Sequence, residues 1–255
     1  MKPSSEPRIG SVSYLNALPL TCGLEAHVRF TVPARLAELL RDGELDVALV
    51  SITEALAHRE YEVVDGVAIA SAGPVRSVFL AHRVPLEAIT EVYCDPASLS
   101  SVGLLRVLLG ERGVRPGFRK LADYRQAQHH DAVLLIGDRA LDFALEPGCY
   151  EIWDLGAAWF AMTRLPFVHA AWTLRQGFHD PGLGALLRQA RDEGLGRLEE
   201  LIEARHDYTL EFRRRYLTEN VRFGLGEAEK AGLRRFAGLL RIHGNVPVFE
   251  PRFVL

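Results

Sequence analysis

Four short stretches of this chain place small polar side chains where a strand gives way to a turn or helix. The first is Ser11-Val12-Ser13-Tyr14-Leu15-Asn16, running into Ala17-Leu18-Pro19-Leu20. Asn16 carries both a donor and an acceptor, so it can hold a hydroxyl or a carboxylate; it can equally cap a helix with an early proline. The second is Gly73-Pro74-Val75-Arg76-Ser77-Val78. Glycine and proline make a turn, and a strand then alternates faces, so Arg76 and Ser77 point opposite ways; Ser77 is assigned to the ligand side. The third is Asp95-Pro96-Ala97-Ser98-Leu99-Ser100-Ser101. A serine-rich turn opening a helix offers hydroxyls and unpaired backbone N–H groups, which bind carboxylates or phosphates without a basic side chain. The fourth is Leu135-Ile136-Gly137-Asp138, where Gly137 lets backbone approach a ligand and Asp138 either reaches it or caps the next helix. The shared chemistry is recognition of a small anion, and open α/β sheets bind ligands beyond the carboxyl ends of their strands.

Other chemistries lack support. There is no GxGxxG, P-loop, GxSxG or HExxH pattern. His129 and His130 are adjacent, so they diverge on a strand or a helix and read as a polar approach to the strand at Ala132. Cys22, Cys94 and Cys149 are odd in number and widely spaced, which supports neither a disulfide framework nor a zinc site. Cys94 reads as buried strand filling. Neither a metal nor an organic cofactor is expected. The net charge of −3 gives no electrostatic reason for a nucleic-acid partner. Arg213-Arg214-Arg215 sits among Tyr208, Phe212, Tyr216 and Leu217 at helical spacing and reads as a solvated helix face. The start, MKPSSEPRIG, has no apolar signal segment, and no apolar run is long enough to span a bilayer. The expectation is a cytoplasmic protein with no membrane partner.

The elements that position these stretches follow from hydropathy. Strands are predicted over 8–14, 28–32, 47–50, 67–70 and 77–81, with a helix over 34–41 that Gly43 closes. A second block has strands at 91–94 and 132–136 and a helix from a Ser98 cap to about Leu109. Further strands at 150–154 and 167–174 flank a loop rich in aromatics, Trp159 and Phe160 among them, which line a pocket or fill a core. Helical series follow from Leu183, from Leu198 and around Phe236, Leu239 and Leu240. This order predicts an α/β protein of two lobes, residues 1–83 plus 170–255 and residues 84–169, with the helical C-terminus on the first and a ligand cleft between them. The chain is expected to cross near 80–85 and 165–172. The same periodicity also suits one doubly wound sheet.

At these stretches the chain resembles a known family. RIGSVSYLNALPL, DVALVSITE, ASAGPVRSV, LLIGDRAL and WDLGAAWFAMTRLPFVHAAW, in that order from residue 8 to 172, resemble the menaquinone-biosynthesis family of the futalosine route, and most of all its branch acting on chorismate. The resemblance implies a type II periplasmic-binding-protein-like fold with a double-crossover hinge. It implies a cofactor-free enzyme, a hydro-lyase that takes water from chorismate to give 3-[(1-carboxyvinyl)oxy]benzoate. It carries over Asn16 and Ser77 as catalytic residues and Ser100 and Ser101 as the anion-binding turn. Ser11, Tyr14, Gly137 and Asp138 are taken as further substrate contacts. Two positions depart from the family pattern: Leu99 replaces a polar residue in the serine turn, and Arg164 stands where glycine is common. No His, Glu or Asp base lies inside the matched motifs apart from Asp138, so the substrate's own enolpyruvyl carboxylate is expected to take the proton. The alternatives are a relative that makes 1,4-dihydroxy-6-naphthoate and a small-anion binding protein without catalysis.

Overall fold

The computed structural model describes residues 6–94, 99–178, 180 and 182–254. The Ser98 cap and the turn from Asp95 to Ala97 lie outside the described residues. In chain order the first elements are β1 (Ile9–Ser11), β2 (Val28–Phe30), α1 (Pro33–Arg41), β3 (Val47–Ser51), α2 (Ile52–Ala57), β4 (Glu62–Ser71) and β5 (Val78–His82). Then come β6 (Glu91–Cys94), α3 (Leu99–Glu111), β7 (Gly117–Lys120), β8 (Ala132–Ile136), α4 (Gly137–Leu145), β9 (Glu151–Asp154), α5 (Leu155–Thr163) and β10 (Phe167–Leu174). The chain closes with α6 (Leu183–Gly196), α7 (Leu198–Glu203), α8 (Leu210–Arg215), β11 (Arg222–Leu225), α9 (Glu227–His243) and β12 (Phe253–Val254).

The strands form two sheets rather than one doubly wound sheet. The first has the order β11-β4-β10-β3-β1-β2, with β12 also on β4; the second has the order β7-β6-β8-β5-β9. Within the first, β1 runs parallel to β2 and β3, while β10 runs antiparallel to β3 and β4. The chain therefore leaves the first sheet at Ser71 and joins the second at Val78; it returns between Asp154 and Phe167. The hydropathy reading expects the first crossing one strand later, near 80–85. The run VFLAH suits either sheet, but β5 pairs with β8 and β9, so the turn at Gly73-Pro74 is itself the crossing. One apolar cluster joins both sheets, with Ala68 and Phe167 on one side, Leu80 and Leu134 on the other, and α3 and α9 contributing Leu104 and Phe236.

Two further expectations are corrected. The aromatic segment before β10 is a helix, α5, not a loop. It is apolar on nearly every side, so it shows no amphipathic stripe, and Asp154 caps it by accepting from Ala157 N at 2.9 Å. Arg213 is buried rather than solvated. Its guanidinium donates to the carbonyls of Ile202 (2.9 Å), Asp207 (2.9 Å) and Tyr208 (2.6 Å), which the end of α7 and the following turn leave unpaired. Arg214 and Arg215 do face solvent and pair with Glu199 and Glu219.

The edge where β1, β3 and β10 meet is locked by one carboxylate. Asp46 accepts from Arg8 N (3.0 Å), Nε (2.9 Å) and Nη2 (2.8 Å) and from Arg175 Nε (2.8 Å). Burial works to raise this carboxyl, but the bonds from Arg8 and Arg175 outweigh it and hold it down at about 2. A depressed carboxyl stabilises the fold above its unfolded value of about 4 and loses that contribution as pH falls towards 2, an effect of about 2 kcal/mol. Asp46→Asn is expected to unfold at lower urea than the parent at pH 6, with the two converging near pH 2. A gap that persists at pH 2 would show that the ion pairs are not its source.

Candidate functional site

A cavity of about 710 Å³, including its open mouth, lies between the two sheets. Its walls are apolar, with Val12, Leu49, Ile69, Val75 and Ile136 among them, and its polar groups come from Tyr14, Asn16, Ser51, Ser77, Ser100, Ser101 and His169. Among the described residues, no Asp, Glu, Lys or Arg lines it. An uncharged, partly closed cavity makes each hydrogen bond to an ionic ligand stronger than it is in water.

The first sheet brings in Asn16. After β1 the chain enters a 3₁₀ turn, Leu15–Leu20, flanked by Tyr14, whose side chain makes no capping bond. Asn16 lies inside this turn and does not cap it. Its Nδ2 donates to the hydroxyl of Tyr216 at 3.3 Å. Ser77 arrives on the first crossing and is 1% exposed, and its Oγ lies 2.7 Å from the same Tyr216 hydroxyl. Tyr216 opens a π-helical turn, Tyr216–Asn220, directly after α8.

The crossing is held in shape by Asp154 at the end of β9. Its carboxylate accepts from Val75 N (3.1 Å) and Arg76 N (2.7 Å) while also capping α5, so one side chain ties the outward crossing to the returning one. Burial pushes this carboxyl up, against those backbone bonds. Arg76 takes a left-handed backbone, φ 63°, which turns its side chain to solvent and Ser77 inward.

The second sheet contributes the start of α3 and the end of β8. Ser100 is committed to the scaffold: its Oγ donates to His169 O (3.0 Å) and accepts from Thr53 N (3.2 Å). Ser101 lines the cavity beside it. Gly137 has φ 60°, a conformation that favours glycine, and its N donates to Ser77 O at 2.8 Å. His169 on β10 shares a 3.0 Å bond between Nε2 and Ser71 Oγ, and burial lowers its imidazole to about 4, so it is neutral at physiological pH.

The structure thus brings together Tyr14, Asn16, Ser77, Ser100, Ser101 and Gly137 at one cavity. Neither Ser11 nor Asp138 lines it, although the Asp138 charge acts on the Tyr216 phenol. Ser11 is fully buried on β1, on the face opposite Val12, and its Oγ donates to Val12 O at 3.3 Å. Asp138 lies in the first turn of α4, which directs it towards the C-terminal segment: its carbonyl accepts from the Tyr208 hydroxyl at 3.0 Å, and burial beside Asp207 raises its carboxyl. Tyr216 and Ser71 escape the sequence reading. Among the described residues no three His, Cys, Asp or Glu side chains gather as a metal site.

Two sheets linked by two crossings, with a cavity between them, define a periplasmic-binding-protein-like fold. Protein AF1704 from Archaeoglobus fulgidus superposes with a TM-score of 0.74 at 14% identity, covering 93% of this chain and 97% of that one. The Candida albicans CA3427 gene product, described as exhibiting the generic periplasmic binding protein structural fold, gives 0.54 at 14% identity, covering 98% and 97%. Residues 7–241 match the family model described as menaquinone biosynthesis, and the chain belongs to that family. The chorismate dehydratase of Thermus thermophilus is 36% identical over 270 residues, covering 95% of this chain and 98% of that protein.

Proposed function

We propose that this protein is a cytoplasmic chorismate dehydratase, forming 3-[(1-carboxyvinyl)oxy]benzoate for menaquinone biosynthesis. The observation that carries the reading is a cavity whose described lining has no Asp, Glu, Lys or Arg and in which Asn16 and Ser77 share one hydrogen-bond partner, in a chain similar along nearly its full length to a chorismate dehydratase.

The reaction needs a proton removed and a hydroxyl expelled. The ring carbon bearing the enolpyruvyl ether loses its proton, and that C–H pair becomes the third ring double bond. The C–O bond to the hydroxyl on the neighbouring ring carbon breaks, and the departing hydroxide takes up the abstracted proton and leaves as water. Aromatisation drives the step, and no electron is gained or lost. Among the described lining residues there is no carboxylate base, and His169 is a weak base already engaged with Ser71. The base in this reading is the enolpyruvyl carboxylate of the substrate itself, which the protein orients. Ser77 holds that carboxylate and Asn16 holds the leaving hydroxyl. The start of α3 supplies N–H groups and the Ser101 hydroxyl to the ring carboxylate. Closure of the two lobes excludes water from the basic carboxylate.

The purified protein, incubated with chorismate without added metal or nucleotide, is expected to yield a product lighter by one water with benzoate-like absorption. Chorismate bound but unchanged would support the binding-protein alternative. Chorismate neither bound nor changed would direct the search to the naphthoate-forming relative.

A further inference from the structure

Asn16 and Ser77 reach the cavity from separate stretches of chain, and a third, much later stretch joins them. Tyr216 is 2% exposed, and its hydroxyl meets Asn16 Nδ2 at 3.3 Å and Ser77 Oγ at 2.7 Å. We propose that Tyr216 is the positioning residue of this site: its phenol fixes the separation of Asn16 and Ser77 and directs the Ser77 hydroxyl proton towards the substrate. The inference rests on the dehydratase reading, because that reading gives Asn16 and Ser77 their work.

The direction follows from counting protons. A phenol has one proton to give and an oxygen that accepts. The Asn16 amide donates to that oxygen. The phenol proton then needs an acceptor of its own, and Ser77 Oγ is the group in range. If Ser77 donated instead, the buried phenol proton would have no acceptor, an arrangement folded proteins avoid. With Tyr216 donating, the Ser77 proton has only a long 3.5 Å contact to Val75 O, which a carboxylate would displace, while Asn16 retains its carbonyl and second N–H for a hydroxyl. Burial pushes the phenol up to about 12, so the donor persists across the neutral range.

The placement of Tyr216 is held from other directions too. Asn220, in the same π-helical turn, donates from Nδ2 to Pro74 O at 3.0 Å, fastening that turn to the crossing that carries Ser77. The Phe212 ring stacks on Tyr216 at 5.8 Å between centroids. A phenylalanine would fill the same space, so packing alone does not require the hydroxyl.

Tyr216→Phe removes that single oxygen. With chorismate as substrate, kcat is expected to fall about tenfold or more, with KM within about threefold and little change in Tm. In a Ser77→Ala background the same substitution is expected to lower kcat by less than about twofold, because the two groups act as one. Full turnover by the single variant, or an equal loss in both backgrounds, would overturn the inference and leave the dehydratase reading standing. A wild type that neither converts nor binds chorismate would overturn both. Should the phenylalanine variant fail to fold, 3-fluorotyrosine at position 216 keeps the hydroxyl but acidifies it. The alkaline limb of kcat is then expected at lower pH, and an unmoved profile overturns the inference.

Discussion

Asn16→Ala and Ser77→Ala are each expected to lower chorismate turnover about a hundredfold or more, with melting temperatures within a few degrees of the parent. Removing one hydrogen-bond donor aimed at charge that develops in a transition state costs roughly 100- to 1000-fold in kcat when the site is dry and preorganised. The described lining holds no charged side chain that would substitute for either group. The stability cost is small because neither side chain fills a large volume. Ser77→Ala leaves the buried Tyr216 phenol without an acceptor, about 1 to 3 kcal/mol at most, which is a few degrees in a chain of this length. The double variant is expected to lose less than the product of the two single losses, since both groups hang on the same phenol. Steady-state kinetics with thermal melts on the same preparations check this. Near-parental turnover in both single variants would remove Asn16 and Ser77 from the chemistry.

Some of this architecture was legible in the residues alone. The strand at β8 falls on the residues that its apolar run predicts, because a strand buried on both faces is continuous in hydropathy and ends sharply at turn residues. The crossing was harder to place. VFLAH carries no mark of which sheet it joins, and pairing partners distant in sequence decide it. Ser11 could have been set aside from strand alternation: Val12 and Tyr14 share one face and line the cavity, which puts Ser11 on the other. Tyr216 is the most instructive omission. Tyr208, Phe212 and Tyr216 recur every four residues, which signals a core-facing helix. The usable sign was chemical: a buried tyrosine needs a partner for its hydroxyl. The partners, Asn16 and Ser77, lie far away in sequence, and no local pattern points to them. The blocks that carry the family resemblance end at Trp172, before this residue.

Trp159→Ala is expected to show the opposite pattern, a large loss of stability with the chemistry preserved. Trp159 is fully buried on α5, the returning crossing, and belongs to the apolar cluster that joins the two sheets. Its ring meets Phe167 of β10 edge-on at 5.4 Å and Phe236 of α9 at 6.0 Å, and its Nε1 donates to Pro166 O at 3.2 Å. A Cβ added at Gly232 of α9 would collide with the same carbonyl, so α9 is pressed against this junction with no slack to close a void. Truncation therefore leaves a cavity that the surroundings cannot fill, at a cost of roughly 3 to 5 kcal/mol. In a chain of this size that lowers Tm by about 10 °C. Trp159→Phe keeps most of the ring contacts and loses only the N–H bond, so its loss is expected to be markedly smaller. Neither substitution touches Asn16, Ser77 or Tyr216, so kcat at 25 °C is expected to stay within about threefold of the parent. A stable Trp159→Ala variant would mean that the two sheets are held by contacts other than this junction. A folded variant that has lost turnover would mean instead that the packing of α5 sets the geometry of Ser77, through the carboxylate of Asp154 that grips both crossings.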